Sequence, residues 1–280
     1  MKETDIEDFH RNPPEDWTDF TDIYFVDSRL ASQLGRTNPR VTKHVHAGLD
    51  EGDKAAGIEE MAEFYDNVTG NTIVVHIPEE GNNAGVNVRE PLMMVRGPVQ
   101  QLFEPETMAL GVSSHFLTDE NEGYSHPTVE EYQEGMEQIV EILDDLGEYT
   151  GQEIGFADFG ARHYHPLKQP ELAQAAYRAG AVGHSTEVGC QAANEIGAEW
   201  DPSGTMPHAY VLAHAGDKIT SGISMEKARS EATLDAFKDY ETIYGEEGPK
   251  LLIDTDNSEI SETLDVCRYL DGNNGDWNLT

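Results

Sequence analysis

From residue 128 onward, short apolar segments alternate with capped helices, a rhythm that few folds accept. Thr128 and Glu131 have the spacing of a capping box. Tyr132, Met136, Ile139, Leu143 and Leu146 then fall on one helical face, with Gly147 as a stop. The apolar stretch Ile154–Gly160 reads as a strand running into a motif, and a helix opens near Pro170 and closes at Gly180. Ala181–Ser185 is a further strand, followed by a small-residue helix around Gly189–Ile196 and a second motif at Ser203–Tyr210. Ser224 is placed to cap a helix that turns Met225, Ala228, Ala232 and Phe237 inward. Lys250–Thr255 reads as a buried strand, and Ser258 starts a helix through Ile260, Leu264, Cys267 and Leu270. Such alternation predicts parallel β/α units, in a barrel or an open sheet, with chemistry at the carboxyl ends of the strands. The sequence closes on the polar turn DGNNGDWNLT, and four candidate strands do not close an eight-stranded barrel. The expectation for 116–280 is therefore an incomplete α/β barrel.

The first half has a different texture. Residues 1–20 are polar and acidic, with Pro13 and Pro14, and read as a loose lead-in. A helix at Ile58–Tyr65, strands at Thr72–Ile77, Val86–Arg89 and Leu92–Arg96, and a helix at Glu104–Ser114 make residues 21–115 a small mixed α and β domain.

Charge bears on solvent rather than on fold. Asp and Glu total 54 against 18 Lys and Arg, a formal net charge of −36. A folded surface of about 12,000 Å² would then carry one uncompensated negative charge on every ~330 Å². At ordinary ionic strength that self-repulsion opposes compaction, whereas molar salt shrinks the screening length to about 3 Å and removes most of it. The excess is spread through an apolar pattern instead of gathered in blocks, which favours a surface adapted to a salt-rich cytoplasm over an acidic interaction tail. A polyanion without a basic stripe is a poor nucleic-acid partner. Two cysteines, Cys190 and Cys267, build neither a disulfide framework nor a zinc ribbon. The opening MKETDIEDFHRNPPEDWTD lacks an apolar signal core and no run approaches membrane-spanning length, so a cytoplasmic protein with no membrane partner is expected.

Four strand ends carry side chains with chemistry. In Asp158-Phe159-Gly160-Ala161-Arg162-His163-Tyr164-His165-Pro166, an arginine follows a strand and a glycine turn, where its guanidinium could grip an anion bidentately or pair with an acidic neighbour. Gly204-Thr205-Met206-Pro207-His208-Ala209-Tyr210 offers a histidine suited to nucleophile, base or ligand, or to a place in the core. Gly183-His184-Ser185-Thr186 supplies hydroxyls. Asp254 and Thr255 end an apolar strand, where a carboxylate binds ribose hydroxyls or a cation, or caps a helix. The spacings His44-Val45-His46 and His163-Tyr164-His165 raise a metal hypothesis. The first pair lies in the mixed region and the second beyond a strand turn, so no metal ligand is assigned. Neither a Walker loop nor a convincing Rossmann fingerprint is present.

Taken in order, DFGARHYHP, GHST, GTMPHAYVLAHAGD and KLLIDTD resemble the motifs of nicotinate phosphoribosyltransferases, most of all the archaeal form. Upstream, Thr21-Asp22-Ile23-Tyr24-Phe25 resembles that family's Asp-x-Tyr element, and PLMMVRGPVQQLFEPETMALGVSSH its strand and helix entering the barrel. The likeness runs from about residue 21 to about 270. It implies a small N-terminal α/β sandwich domain joined to an irregular α/β barrel of the type II phosphoribosyltransferase kind, working as a homodimer. It further implies formation of nicotinate mononucleotide and pyrophosphate from nicotinate and phosphoribosyl pyrophosphate, with Mg²⁺ and with ATP as co-substrate. By motif match, Tyr24 would stack on the pyridine ring across the dimer boundary and Arg162 would hold an anionic substrate group. His208 would be the histidine phosphorylated from ATP, with Thr205 in the same loop. Asp254 and Thr255 would face the ribose or pyrophosphate with Mg²⁺. His163 and Ser185 join them as substrate-binding candidates.

Three departures qualify the match. Arg162-His163 stands where the family often has two arginines, and GHST where an Asn commonly ends the motif. The later strands, whose acidic and glycine-rich motifs hold the 5′-phosphate, are not found. Two other readings stay open: a related phosphoribosyltransferase acting on another base, and a catalytically inactive binding or partner subunit.

Overall fold

In a computed structural model, residues 6, 8–35, 37–46, 50, 52–70, 72–87, 90–244, 252, 267 and 268 are described. Helix α1 (Ile23–Gly35) buries Tyr24, Phe25, Ser28, Ala31 and Ser32. Strand β1 (Arg40–Val45) follows, then helix α2 (Ile58–Thr69), which turns Ile58, Met61, Phe64 and Tyr65 inward at helical spacing. Gly57 precedes α2 at φ 85°. A Cβ there would come within 2.8 Å of the Ser113 carbonyl oxygen, so only glycine fits. Strands β2 (Val74–His76) and β3 (Met93–Pro98) run antiparallel with Val75 opposite Val95, in a three-stranded sheet of order β1-β3-β2. Helix α3 (Pro105–Glu120) has proline in its first turn and buries Thr107, Met108, Ala109, Gly111, Val112 and Ser113. The strand expected at Val86–Arg89 is not among these elements. Gly85 makes a lone bridge to Lys54, and residues 88 and 89 lie outside the described set.

Helix α4 (Val129–Thr150) carries the expected capping box between Thr128 and Glu131. It does not stop at Gly147. The carbonyl of Gly147 instead accepts from the amides of Gly151 and Gln152, and Gly151 ends the helix at φ 70°. Tyr132 and Met136 pack inward, while Ile139 and Leu146, expected on the same face, are exposed. Strands β4 (Ala157–Asp158) and β5 (Gly183–His184) pair in parallel around helix α5 (Gln169–Ala179), which Gly180 closes at φ 105°. Helix α6 (Glu187–Asn194) is capped by the Thr186 hydroxyl. Helices α7 (His208–Thr220) and α8 (Met225–Tyr244) complete the described elements, with Met225 exposed and Ala228, Ala232 and Phe237 buried.

The barrel is where expectation and structure part. Parallel pairing among the described residues is confined to β4 and β5, two residues each, and no barrel is formed by them. Gly155 and Gly183 thin these runs, and Ser203–Pro207 is extended without a ladder. The strand expected at Lys250–Thr255 and the helix after Ser258 lie outside the described residues apart from Leu252, Cys267 and Arg268. The architecture is mixed α and β.

The chain divides into two units that interleave along the sequence: residues 1–23, 42–96 and 104–203, and residues 24–41, 97–103 and 204–280. Within the first, Ala176, Ala181, Cys190, Ala193 and Trp200 form one apolar cluster, and Ala55, Ile58, Val86 and Leu92 another. Burial pushes the Cys190 thiol up to about 12, so it is an inert packing group. The supposed lead-in also belongs to this unit. Phe9 is buried, with its ring 6.3 Å from Phe64 and 5.3 Å from His165. The second unit is built on Tyr24, Phe25, Phe103, Met206, Tyr210 and Tyr240. Among the described residues, no helix is long and apolar enough to cross a membrane.

Candidate functional site

The first unit gathers its polar groups where the chain enters α1. Asp22 is fully buried and makes a lone bridge to Thr186, and the Ile23 amide donates to the Ser185 carbonyl at 2.8 Å. Its carboxylate accepts from Ser185 Oγ at 2.5 Å on one oxygen and from Thr107 Oγ1 at 2.8 Å on the other. Arg162 Nε lies 3.4 Å from that second oxygen. Arg162 is delivered by the turn Gly160–Arg162 behind β4. The Gly160 amide donates to Asp158 Oδ1 at 2.7 Å, and a Cβ at Gly160 would sit 2.9 Å from the same oxygen and 3.0 Å from the Tyr132 hydroxyl. The glycine after the strand therefore lets the turn close tightly enough to aim the arginine at Asp22.

Two further charges complete the surround. Arg162 Nη1 is 4.0 Å from Glu106, which also pairs with Lys43 on β1. Two cations thus face two carboxylates, and the guanidinium is neither a bare anion trap nor fully neutralised. Its side chain stays 33% exposed. It also lines, with His163, an open cavity of about 610 Å³. The apolar wall there is Val45, Leu92, Leu110 and Leu117. Ser113, Ser114 and Thr118 add hydroxyls, with His46 and Tyr124 completing the lining. A mostly apolar pocket with a few converging polar groups, a guanidinium among them, has the make-up of a small-molecule site.

Strands β4 and β5 carry a second polar network. Asp158 accepts from Tyr132 Oη at 2.7 Å, and His184 Nε2 is 3.8 Å from the same carboxylate oxygen. His184 Nδ1 accepts from the Thr186 amide at 3.0 Å, which assigns the ring proton to Nε2, facing Asp158. Thr186 Oγ1 donates to Gln169 Oε1 at 3.1 Å and accepts from the Gly189 amide to cap α6, and Gln169 Nε2 donates to the Phe20 carbonyl at 2.9 Å. Burial is the largest influence on His184 and lowers its pKa, against the opposing pull of Asp158. Burial likewise raises the phenols of Tyr132 and Tyr164 above their ordinary range, with the Asp158 charge adding to it.

Of the residues singled out from sequence, Arg162, His163 and Ser185 belong to the first unit. Arg162 and His163 share the cavity, while Ser185 is buried against Asp22. Tyr24, Thr205 and His208 belong to the second. Tyr24 is 7% exposed and lies beneath the Gly204 backbone, where a Cβ would approach its ring to 2.6 Å. Thr205 is exposed, and His208 is exposed at the first position of α7. Asp254 and Thr255 lie outside the described residues. The rings of His44 and His46 are 6.3 Å apart on the exposed side of β1, whereas His163 is exposed and His165 buried. Sequence reasoning did not single out Lys43, Glu106 or Thr107, and it placed Tyr132 on a helix face without a role in the site. Asp22 stood inside a quoted motif without a role, and its Asp-x-Tyr context was the available signal.

No family model matches the chain, and no curated protein does. Among solved structures, it is similar to nicotinate phosphoribosyltransferase from Porphyromonas gingivalis at 16% identity and a TM-score of 0.51, covering 82% of this chain and 61% of that one. It also matches nicotinate-nucleotide pyrophosphorylase from Pyrococcus furiosus at 20% identity and a TM-score of 0.35, covering 97% of this chain and 57% of that one. The chain thus spans 57% and 61% of the lengths of these two structures. Over that partial length its mixed α/β fold resembles the Porphyromonas gingivalis structure.

Proposed function

We propose that the chain is a nicotinate phosphoribosyltransferase-like protein, which joins nicotinate to phosphoribosyl pyrophosphate to give nicotinate mononucleotide and pyrophosphate, with ATP hydrolysis. The observation that carries this reading is Arg162 in the wall of a largely apolar cavity, fixed from behind by Asp22 and flanked by His163. A planar aromatic acid meets apolar walls on its ring and a guanidinium at its carboxylate. The motif order quoted above supports the same assignment.

The remaining parts of the reading are consistent with it. His208, exposed on the first turn of α7, would accept the γ-phosphoryl group on a ring nitrogen as ADP leaves. Displacement at the ribose anomeric carbon develops positive charge on the sugar and negative charge on pyrophosphate, the charge that preorganised donors and Mg²⁺ stabilise in such reactions. The carboxylates nearest Arg162, Asp22 and Glu106, are engaged by Arg162 and Lys43. They do not fit as Mg²⁺ ligands. A homodimer, a cytoplasmic setting and a surface adapted to high salt belong to the same proposal.

The test is product formation by the purified chain in molar KCl with nicotinate, phosphoribosyl pyrophosphate, Mg²⁺ and ATP, read by mass spectrometry. Arg162→Gln should lower kcat/KM for nicotinate by roughly 10- to 10²-fold, as loss of a charge-assisted contact does. The selectivity of nicotinate over nicotinamide should collapse with it. Preference for nicotinamide or quinolinate in competition would favour the related enzyme. A folded chain that binds nicotinate and makes no product would favour the inactive binding subunit.

A further inference from the structure

Away from the guanidinium, three side chains converge at the C-terminal end of α3. His115 and Asp119 stand four residues apart on one helical face, and His126 returns to them from the loop that follows. His126 Nε2 is 2.9 Å from Asp119 Oδ1, and His115 Nε2 is 3.4 Å from Oδ2. The two imidazoles are stacked, with centroids 4.7 Å apart and planes inclined by 28°. The donor atoms of all three residues lie within 4.8 Å of one another. A tetrahedral zinc-class ion with bonds of about 2.0–2.1 Å holds its donors about 3.4 Å apart, so small side-chain rotations close this set around an ion.

The surroundings prepare the site. The loop bearing His126 is pinned by buried Asn121, whose Oδ1 accepts from the Lys54 amide at 2.8 Å while Nδ2 donates to the carbonyls of Lys54 and Leu117 at 3.0 and 2.9 Å. The ligands sit at the negative end of the α3 dipole, which favours a cation. Ion pairing alone accounts poorly for the arrangement. Asp119 is exposed, and exposed pairs of this kind contribute little to stability.

We propose that His115, Asp119 and His126 bind one divalent transition-metal ion, two imidazole nitrogens and a carboxylate oxygen serving as ligands with a further position open to water. Two nitrogen donors select zinc, cobalt or nickel over magnesium and calcium, which prefer oxygen. The ion would tie the loop of residues 121–128 to α3. That loop carries Tyr124 and the helix carries Ser114 and Thr118, all in the cavity wall. The inference does not depend on which reaction the cavity serves.

The experiment is a Co²⁺ titration of the chelator-stripped full chain in molar KCl, with excess Mg²⁺ to occupy general carboxylate sites. The readouts are the visible absorption of bound Co²⁺ and metal analysis. One Co²⁺ per chain is expected. His115→Ala and His126→Ala should each weaken binding by at least about tenfold, since even the loss of an outer partner of a ligand typically costs that much. A double His44→Ala/His46→Ala variant should bind as the parent does. No binding by the parent, or unchanged binding by His126→Ala, overturns the proposal. If a variant loses its circular dichroism, paramagnetically shifted imidazole protons of His115 and His126 in the Co²⁺-loaded parent decide the matter, and their absence overturns it.

Discussion

The two units bury polar groups in opposite ways. In the first, Asp22 and Asp158 are buried carboxylates held by the hydroxyls of Ser185, Thr107 and Tyr132 and the Gly160 amide, with Arg162 and His184 at longer range. In the second, the hydroxyl tips of two large rings are buried and hydrogen-bonded. Tyr240 Oη meets Ser28 Oγ at 2.7 Å and the Tyr24 carbonyl at 3.2 Å, and Tyr210 Oη donates to Asp239 at 2.8 Å. A buried charge stripped of its partners is costly, whereas a ring that loses its hydroxyl keeps its packing. The first unit's stability should therefore rest on hydrogen-bond completeness and the second's on shape.

The sharpest way to break that contrast is Asp158→Ala. It removes the acceptor of Tyr132 and of the Gly160 amide and leaves His184 without its carboxylate, and two orphaned donors should cost about 2–6 kcal/mol in denaturant unfolding at molar KCl. A loss below 1 kcal/mol would mean the network is not structural. Next comes Gly189→Ala, whose Cβ would lie 2.2 Å from His184 Nδ1. Overpacking of that kind costs roughly 1–3 kcal/mol, and an unchanged melting temperature would contradict the packing described.

The third prediction concerns pH. His184 has a folded pKa below its ordinary 6.5, so below that value the unfolded chain takes up the proton first. The associated stability is fully present above about pH 6.5 and declines as the pH falls, by at most about 1.4 kcal/mol per unit for one site. His184→Asn keeps an acceptor for the Thr186 amide and removes the titration, so its stability profile should be flatter than the parent's below pH 6.5. Parallel profiles would show that His184 is not a source of the slope. The smallest effect is expected from Tyr240→Phe, about 1 kcal/mol for its hydrogen bonds. If it matched Asp158→Ala in size, the contrast between the units would fail.

What could be read from the sequence was what is local. The Thr128–Glu131 box and the helix between Pro170 and Gly180 announce themselves within a few residues, and both are present. The outward turn of Ile139 and Leu146 was not legible, because periodicity places apolar residues on a helix without saying which neighbours arrive to cover them. Arg162 was legible as the end of a glycine turn. Its partners were not, since Asp22 and Glu106 come from segments far from Arg162 in the chain and an ion pair between distant segments leaves no periodic trace. His115 and Asp119 did carry a signal, the four-residue spacing of one helical face. His126 joins them only through the loop that Asn121 pins.

The interleaving of the units has a consequence for how the chain is made. The Tyr240 hydroxyl and the Tyr24 carbonyl that it meets are 216 positions apart, so α1 leaves the ribosome long before its hydrogen-bonding partner exists. At about 5–20 residues per second, Tyr24 and Phe25 wait roughly 10–40 s for α8. Neither unit can form by vectorial order alone, because residues 24–41 interrupt the first and residues 104–203 interrupt the second. During synthesis the exposed aromatic face of α1 is therefore the segment most in need of shielding.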